Sequence, residues 1–538
     1  MVPLHTVAGQ GVLSQVCVMP SDTMPSVHRI PVGPAAPRGL CTDCGVSRMA
    51  DPKRCATACQ FIQPDYPALE TRVHGRARDP ARPDELHFGP FRRMARASLK
   101  RPAPGAQWTG ITTRLAERLL EAGAVDAVLT MAPDPEDRWR PVPVLVTRPE
   151  GMAECRGMRM GYAPLLALLE PARAAGHRRL AVIGIPCQVH ALREMERDLG
   201  FERLYVIGTP CSDNTTTERF HQFLALLADD PATITYLEFR ADYRVELRFT
   251  DGRVKTVPFL QLPISKLPPD FFPLTCRTCV DYTNVLADIT VGYMAGEGAQ
   301  WLLVRNERGE ELLKLLGDEV ALSEPGTRGK RQSAVKGYMA NVALAAGGLP
   351  LRSMPNWLRP IVGWLMPRIG PRGLEFARTR VEMKAAETIL HLRREKPRRM
   401  ARMIPAHIWS LMAPYGLTPK AEELPQKPSP LGRGLGEGGP RARNLALYEA
   451  RTNLTRNPLR PGSSRRQVLH TEHPRGLDPD NRTISPACGT TMDQHPVRVT
   501  PYDRTPDQQD YVLGGRVSCQ NPVVLDDDQG LCLPPRPV

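Results

Sequence analysis

The stretch RRLAVIGIPCQVHALREMERDLGFERLYVIGTPC, Arg178–Cys211, decides the fold. RRLAVIGIPC is a short apolar run that meets Gly and Pro, the pattern of a buried strand running into a turn. HALREMERDLG carries apolar residues at helical spacing and stops on Gly200, and FERLYVIGTPC is a second buried strand. Strand, helix and strand in this order predict parallel neighbours in an α/β sheet. Both strands end at a cysteine. Ligands of open α/β sheets gather outside the carboxyl ends of the strands, so Cys187 and Cys211 stand where a cofactor would sit.

The same plan extends outward in both directions. GITTRLAERLLEAG reads as a helix stopped by Gly123, AVDAVLTM as a buried strand, and YAPLLALLEPARAAG as a helix stopped by Gly176. TITYLEFRADYRVELRFTDGRVKTVPF alternates apolar and polar residues around Asp251-Gly252, which predicts a hairpin beside the sheet. After CRTC come the strand LADITVGYM and the strand-like WLLVRN, and the helices RGEELLKLLGDEV and VEMKAAETILHLRRE close the packed part. SMPNWLRPIVGWLMPRIG is apolar, broken by Pro and Arg, and too short for a bilayer span. It reads as a packing segment in preference to a membrane-surface one, leaving peripheral membrane contact open.

The fold class expected is α/β, in five parts. Residues 1–37 form a loose leader, 38–100 an N-terminal segment that opens on a close-set group of cysteines, and 101–345 a mixed α/β domain. Residues 346–424 are mostly helical, and 425–538 are a Pro, Gly and Arg-rich tail without hydrophobic periodicity, expected to be disordered.

Across 538 residues, 71 Lys and Arg against 57 Asp and Glu leave a net charge of +14. The excess is scattered Arg without interleaved aromatics, which argues against a nucleic-acid platform and for docking of an acidic protein or an anionic substrate. No run of 18 apolar residues and no basic-then-apolar N-terminus occurs, so neither a span nor a secretory signal is expected, and the cytoplasm is the default location. Thirteen cysteines in such a chain read as metal or redox ligands in preference to disulfides.

Two sets of four carry the chemistry. Cys41, Cys44, Cys55 and Cys59 form a C-x2-C-x10-C-x3-C array, CTDCGVSRMADPKRCATAC. Zinc and iron–sulfur clusters both use such pairs, and the spacing does not choose between them. Cys187, Cys211 and the pair Cys276/Cys279 make the second set, drawn from three distant segments as zinc ribbons rarely do. Two four-thiol sites in one α/β chain suit a short electron-transfer chain with a two-electron acceptor at its end. A buried core cysteine is the plain alternative for Cys187. Cys17 and Cys155 read as structural, and Cys488, Cys519 and Cys532 have no ligand spacing.

Weaker signals surround these. PGAQWTGITT places small and hydroxylated residues at a helix start, where backbone N–H groups and Thr hydroxyls can approach a phosphate, although an ordinary capped helix has the same look. DYTN and VGYMAGEGAQW could line a flavin ring or be plain turn and core.

Taken in order, GAQWTGITT, VIGIPCQVHALR, YVIGTPCSDNTT, CRTCVDYTNVLADITVGYM and WLLVRNERG resemble the family of the beta subunits of deazaflavin-reducing hydrogenases. Within it they are most similar to the chlorophyll-pathway branch of ferredoxin-dependent divinyl chlorophyllide 8-vinyl reductases and 7-hydroxymethyl chlorophyll a reductases. The resemblance covers about residues 40–424. It implies one FAD and two [4Fe-4S] clusters: residues 38–100 become an N-terminal iron–sulfur segment, with Cys41, Cys44, Cys55 and Cys59 on the first cluster, and 101–345 an α/β flavin domain, with Cys187, Cys211, Cys276 and Cys279 on the second. The branch tends to begin with C-x2-C-x2-C; here the third place is Ser47, and Cys55 is the thiol that can replace it. The resemblance further implies FAD along Gln107, Trp108, Thr109, Gly110 and Thr112, with Asp288 and Gly292, Tyr293 and Met294 near the isoalloxazine. Tyr282, Asp281 and Glu297 are candidate proton donors, with bulk water as an equal alternative.

The function so implied is reduction of the 8-vinyl group of a divinyl chlorophyllide-type tetrapyrrole with electrons from reduced ferredoxin. Three rivals remain: reduction of a 7-hydroxymethyl group, a redox subunit serving a hydrogenase or formate dehydrogenase through a deazaflavin, and a zinc-stapled scaffold without redox chemistry.

Overall fold

The computed structural model describes residues 25–33, 40–240, 242–293, 299–349 and 354–425. The leader up to residue 24, Cys17, Met294, Glu297, the tail from residue 426 and its cysteines lie outside the described residues.

The main sheet is built from nine strands among the described residues: β1 (Val27–His28), β2 (Arg93–Leu99), β3 (Ala127–Pro133), β4 (Pro141–Val146), β5 (Arg179–Gly184), β6 (Arg203–Gly208), β10 (Ile289–Tyr293), β11 (Gln300–Val304) and β12 (Val320–Ser323). Their order is β1-β4-β3-β5-β6-β10-β11-β2-β12. The middle strands β3, β5, β6 and β10 run parallel, and antiparallel pairs extend the sheet on both flanks. The chain is therefore a mixed α/β protein.

Arg178–Cys211 forms the unit its pattern predicts: β5, the helix Pro186–Leu199, and β6 beside β5 in parallel. The central strands carry unbroken apolar runs, such as Leu180–Ile183 of β5, because both faces are covered. Leu180 and Val182 point into a core with Leu166, Leu168, Val189 and Leu192. Ala181, Tyr205 and Ile207 point into another with Ile111, Leu115, Leu119 and Leu312. Each such Leu, Ile or Val side chain contributes about 1.5–3 kcal/mol by leaving water.

Several elements differ from the sequence reading. The segment expected as a hairpin beside the sheet is a separate three-stranded antiparallel sheet, β7 (Ile234–Phe239), β8 (Arg244–Phe249) and β9 (Val254–Pro258), with its own aromatic core of Phe220, Phe223 and Phe271. The first of its two turns, near Tyr243 at φ 64°, has no Gly or Pro to announce it. YAPLLALLEPARAAG begins as a 3-10 turn, Leu165–Leu168, and only Leu169–Ala174 is α-helical. The strands β2 and β4, RMARASL and PVPVLV, escaped the reading because Arg, Ser and Pro break their apolar runs. The sheet thus takes in residues from the expected leader and the expected iron–sulfur segment.

The helix Leu374–Glu395 is the longest described, and with Met400–Met403 and Ala406–Met412 it builds a core over Phe88, Trp301 and Leu303. SMPNWLRPIVGWLMPRIG forms the helix Leu358–Ile369. Packing holds only one side of it: Trp357, Ile361, Trp364 and Ile369 are exposed.

Candidate functional site: two facing sets of thiols

The strands β5 and β6 end in register, Gly184 opposite Gly208, and each is followed by the same Gly-x-Pro-Cys spacing. Cys187 and Cys211 consequently leave one edge of the sheet side by side. Thr209 N donates to Gly184 O at 3.1 Å, and Asn284 Nδ2 bridges Gly184 O (2.7 Å) and Thr209 O (3.2 Å). Gly208 has to be glycine, because a Cβ would meet Ala287 Cβ at 2.6 Å and Asn284 Cγ at 2.7 Å. Pro186 opens the following helix, so Cys187 sits in the first turn of a long helix, where the dipole favours a thiolate.

Cys276 and Cys279 complete this set from the short helix Leu274–Arg277 and the turn after it. The four lie close enough to act on one another: Cys211, Cys276 and Cys279 all disfavour ionisation of Cys187. Burial is the larger effect. It pushes Cys187 and Cys211 well up, Cys276 up to about 12 and Cys279 up to about 11. Four partly buried thiols this close can ionise together only around a compensating cation.

Some of that compensation is built in. The backbone of Asn214 hydrogen-bonds the Cys276 sulfur, and Gln60 Nε2 reaches the Cys279 sulfur at 3.3 Å. Lys384 from the helix Leu374–Glu395 favours the ionised forms of Cys211, Cys276 and Cys279. Its ammonium is buried between Asp213 Oδ1 (2.6 Å) and Glu387 Oε2 (3.0 Å), and Thr388 Oγ1 of the same helix bonds Cys279 O at 3.1 Å. Burial pushes Glu387 up to about 7. The sequence reading assigned this helix no role, although its Lys-x-x-Glu face among apolar neighbours was visible.

The first set assembles likewise: Cys59, Cys55 and Cys41 all act on Cys44. Cys55 therefore stands among the array, while Ser47 lies in the short 3-10 turn Val46–Arg48 after Cys44. The Cys41 sulfur accepts from Asp43 N at 3.3 Å, and the Cys59 sulfur from the backbones of Phe61 and Ile62. Gly45, at φ 106°, lets the loop press onto the main chain of residues 164–167, with Leu166 N donating to Cys44 O at 2.9 Å.

The two sets face each other, which no spacing could reveal. Cys44 of the first acts on Cys187 of the second. Tyr66 donates to Gln60 Oε1 at 2.8 Å, and Gln60 in turn reaches Cys279. Among the described residues no three of His, Cys, Asp and Glu stand at the spacing of a single metal ion. Cys155 lies apart, beside Gly151 O, as a structural residue would.

The expected flavin residues fall into two groups. Trp108, at φ 58°, stacks on Tyr293 (4.8 Å between centroids, 22° between planes), and Tyr293 meets Phe376 at 5.5 Å. This aromatic shelf suits a planar ring. The Gln107–Gly110 turn is held from within: Trp108 N donates to Glu238 Oε1 (3.1 Å), and Thr109 Oγ1 (2.6 Å) and Ile111 N (3.1 Å) to Gln300 Oε1. Thr112 lies in the first turn of the helix Ile111–Glu121. Gly292 is the strand neighbour of Tyr293 and lies against Pro210, next to Cys211.

Asp288 is elsewhere. It precedes β10 while Tyr293 ends it, about 16 Å away at strand spacing. Its fully buried carboxylate accepts from Arg193 (2.8 Å), Arg308 (3.0 Å), Asn306 (2.8 Å) and Val206 N (2.7 Å), a structural assignment.

Tyr282 is buried under the Arg380 guanidinium, 5.8 Å from its ring. Arg380 also hydrogen-bonds Ser212 beside Cys211 and acts on Tyr293, so it lies between the second thiol set and the shelf. Asp281 accepts from Val285 N at 3.0 Å and lines a small cavity with Tyr66, Arg78, His87 and His407; burial pushes it up to about 6. Phe376, Arg380 and Lys384 were missed because a mostly helical segment gives no spacing signal for a site.

Residues 94–170 and 177–325 match the N-terminal and C-terminal parts of the coenzyme F420 hydrogenase/dehydrogenase beta subunit. A 7-hydroxymethyl chlorophyll a reductase of Oryza sativa is 35% identical over 74% of this chain and 87% of its own length. The chain belongs to the family of coenzyme F420 hydrogenase/dehydrogenase beta subunits. An uncharacterized protein of Nostoc sp. is 36% identical over 70% of this chain and 94% of its own. One component of the F420H2 dehydrogenase of Methanosarcina mazei is 29% identical over 41% of this chain and 62% of its own. A chain of the F420-reducing [NiFe] hydrogenase complex of Methanosarcina barkeri aligns with a TM-score of 0.44, at 19% identity over 60% of this chain and 95% of its own. The named relatives are reductases, dehydrogenases and hydrogenase subunits, which makes this family member an oxidoreductase relative. Among the described residues no helix is long and apolar enough to cross a membrane.

Proposed function

We propose that this protein is an iron–sulfur flavoprotein that reduces a side group of a chlorophyll-type tetrapyrrole with electrons from reduced ferredoxin. The observation that carries the reading is the succession of two facing four-thiol sets and then, across Arg380, an aromatic shelf. Eight half-buried thiols, with N–H donors on several sulfurs and, among the described residues, no single-ion spacing, suit polynuclear clusters better than zinc. When bound, clusters in the two sets would carry single electrons, and FAD at the shelf would pass them on in pairs.

The chain's own residues then have distinct tasks. Exposed Lys53 and half-buried Arg54, beside Cys55, offer a positive rim to an acidic electron donor. Trp108 and Tyr293 orient a flat ring, and Thr109 and Gln300 hold the turn that carries Trp108. Tyr282, whose hydroxyl burial keeps protonated, can give a proton near the shelf, as can water.

Reduction of an 8-vinyl group to ethyl is the reading favoured from the sequence. The rice relative's name supports a second, reduction of a 7-hydroxymethyl group, by the same electron supply. The test is anaerobic purification with iron, sulfide, zinc and flavin analysis, then incubation with reduced ferredoxin and either divinyl chlorophyllide or 7-hydroxymethyl chlorophyll a. Chromatography of the pigments identifies the group reduced. Iron and FAD without turnover of either pigment, but with turnover of a deazaflavin, would replace the tetrapyrrole reading. Zinc without flavin would end the redox reading.

A further inference from the structure

The helix Leu358–Ile369 carries a bare apolar stripe. Trp357 is 70% exposed, Ile361 53%, Trp364 60% and Ile369 59%. Positions 357, 361 and 364 share one helical face. The opposite side is seated: a Cβ on Gly363 would stand 3.5 Å from Pro258, which ends the small sheet, and 3.4 Å from Gln261 in the turn after it, and Arg359 is 7% exposed. The stripe is therefore held outward by the packing of its own helix.

Charge narrows what can cover it. Between Glu324 and Glu375 the sequence has no Asp or Glu and eight Arg and Lys. Arg368 lays its guanidinium over the Trp364 ring, 4.0 Å from the centroid, at the rim of the stripe. A symmetric contact with a second copy would press this cationic segment against itself. Tryptophan flanked by arginine is instead the composition of a bilayer interface, where the rings sit at headgroup level and the cations meet anionic lipid. Twelve residues of helix, about 18 Å long, are too short to cross and long enough to lie in that boundary.

We propose that the Leu358–Ile369 helix is an interfacial helix that docks the protein on an anionic lipid surface. The inference goes beyond the proposed reaction and stands whichever substrate is reduced.

The experiment is flotation of the full chain with vesicles of phosphatidylcholine alone and of phosphatidylcholine with about a third phosphatidylglycerol. The chain floats with the anionic vesicles, the binding weakens in 1 M salt because screening removes the charge attraction, and Trp357→Ser/Trp364→Ser lowers the partition at least tenfold at unchanged thermal unfolding. Ile361→Asp, at a separate exposed position, does the same. Absence of flotation, or a double variant that floats like the parent, overturns the proposal, the second result assigning binding to other basic parts of the chain. Vesicle binding unchanged while the variant loses cross-linking to an acidic electron-transfer protein, or dissociates from a dimer in light scattering, also overturns it in favour of a protein contact.

Discussion

Replacing Asp288 by Asn separates a structural carboxylate from one that serves a flavin. The side chain is fully buried, with three donors on Oδ1, from Arg193, Asn306 and Arg308, and one on Oδ2, from Val206 N. An amide keeps one oxygen. Its NH2 then faces either Val206 N–H or the guanidinium groups, and a buried donor left unsatisfied costs about 1–3 kcal/mol. The lost charge also breaks a buried ion pair, at about 3–5 kcal/mol. The two costs overlap, so about 3–5 kcal/mol is expected in all, a large part of a usual folding margin of roughly 5–15 kcal/mol. The assay is urea unfolding of anaerobically purified parent and variant followed by circular dichroism, with flavin content measured alongside. A clearly lower midpoint is expected, with flavin lost only as the fold is lost. A variant that unfolds with the parent but purifies without flavin would refute the structural assignment.

Four further outcomes follow from the geometry. Gly45→Ala would bring a Cβ within 2.5 Å of Ala167 N and 2.7 Å of Pro164 O at φ 106°, so a lower melting temperature and reduced iron per chain are expected; both unchanged would show that the loop tolerates the added carbon. Cys55→Ala should lower iron from about eight to about four atoms per chain under the two-cluster reading, whereas unchanged iron and an unchanged cluster spectrum would exclude Cys55 as a ligand. Lys384→Met removes a buried cation beside Cys211, Cys276 and Cys279 and leaves Asp213 and Glu387 facing each other, so a lower reduction potential of the second set is expected in a potentiometric titration followed by electron paramagnetic resonance; an unmoved potential in a folded variant would exclude the charge effect. Burial lowers His190 to about 4 from 6.5, so the unfolded chain takes up the proton first; stability is complete above about pH 6.5 and falls toward pH 4 by roughly 3 kcal/mol. His190→Gln should flatten the urea midpoint across that range, and an unchanged slope would show that other groups govern it.

The local pattern of the chain determined the β5–helix–β6 unit, the helices Ile111–Glu121 and Glu307–Leu316, and the two cysteines at strand ends, because period and punctuation are properties of neighbouring residues. It also marked the opening thiol array, whose members are close in the chain. What it could not settle is whatever depends on distant segments meeting. The facing of Cys44 and Cys187, the Gln60–Cys279 bond and the approach of Lys384 to the second set arise from packing of segments more than a hundred residues apart. The resemblance grouped Asp288 with Tyr293, and a strand length decided that they lie apart. The apolar segment at 358–369 is the last such case. Its composition suits a buried helix and a surface helix alike, and only its seat on the small sheet decided which side faces out.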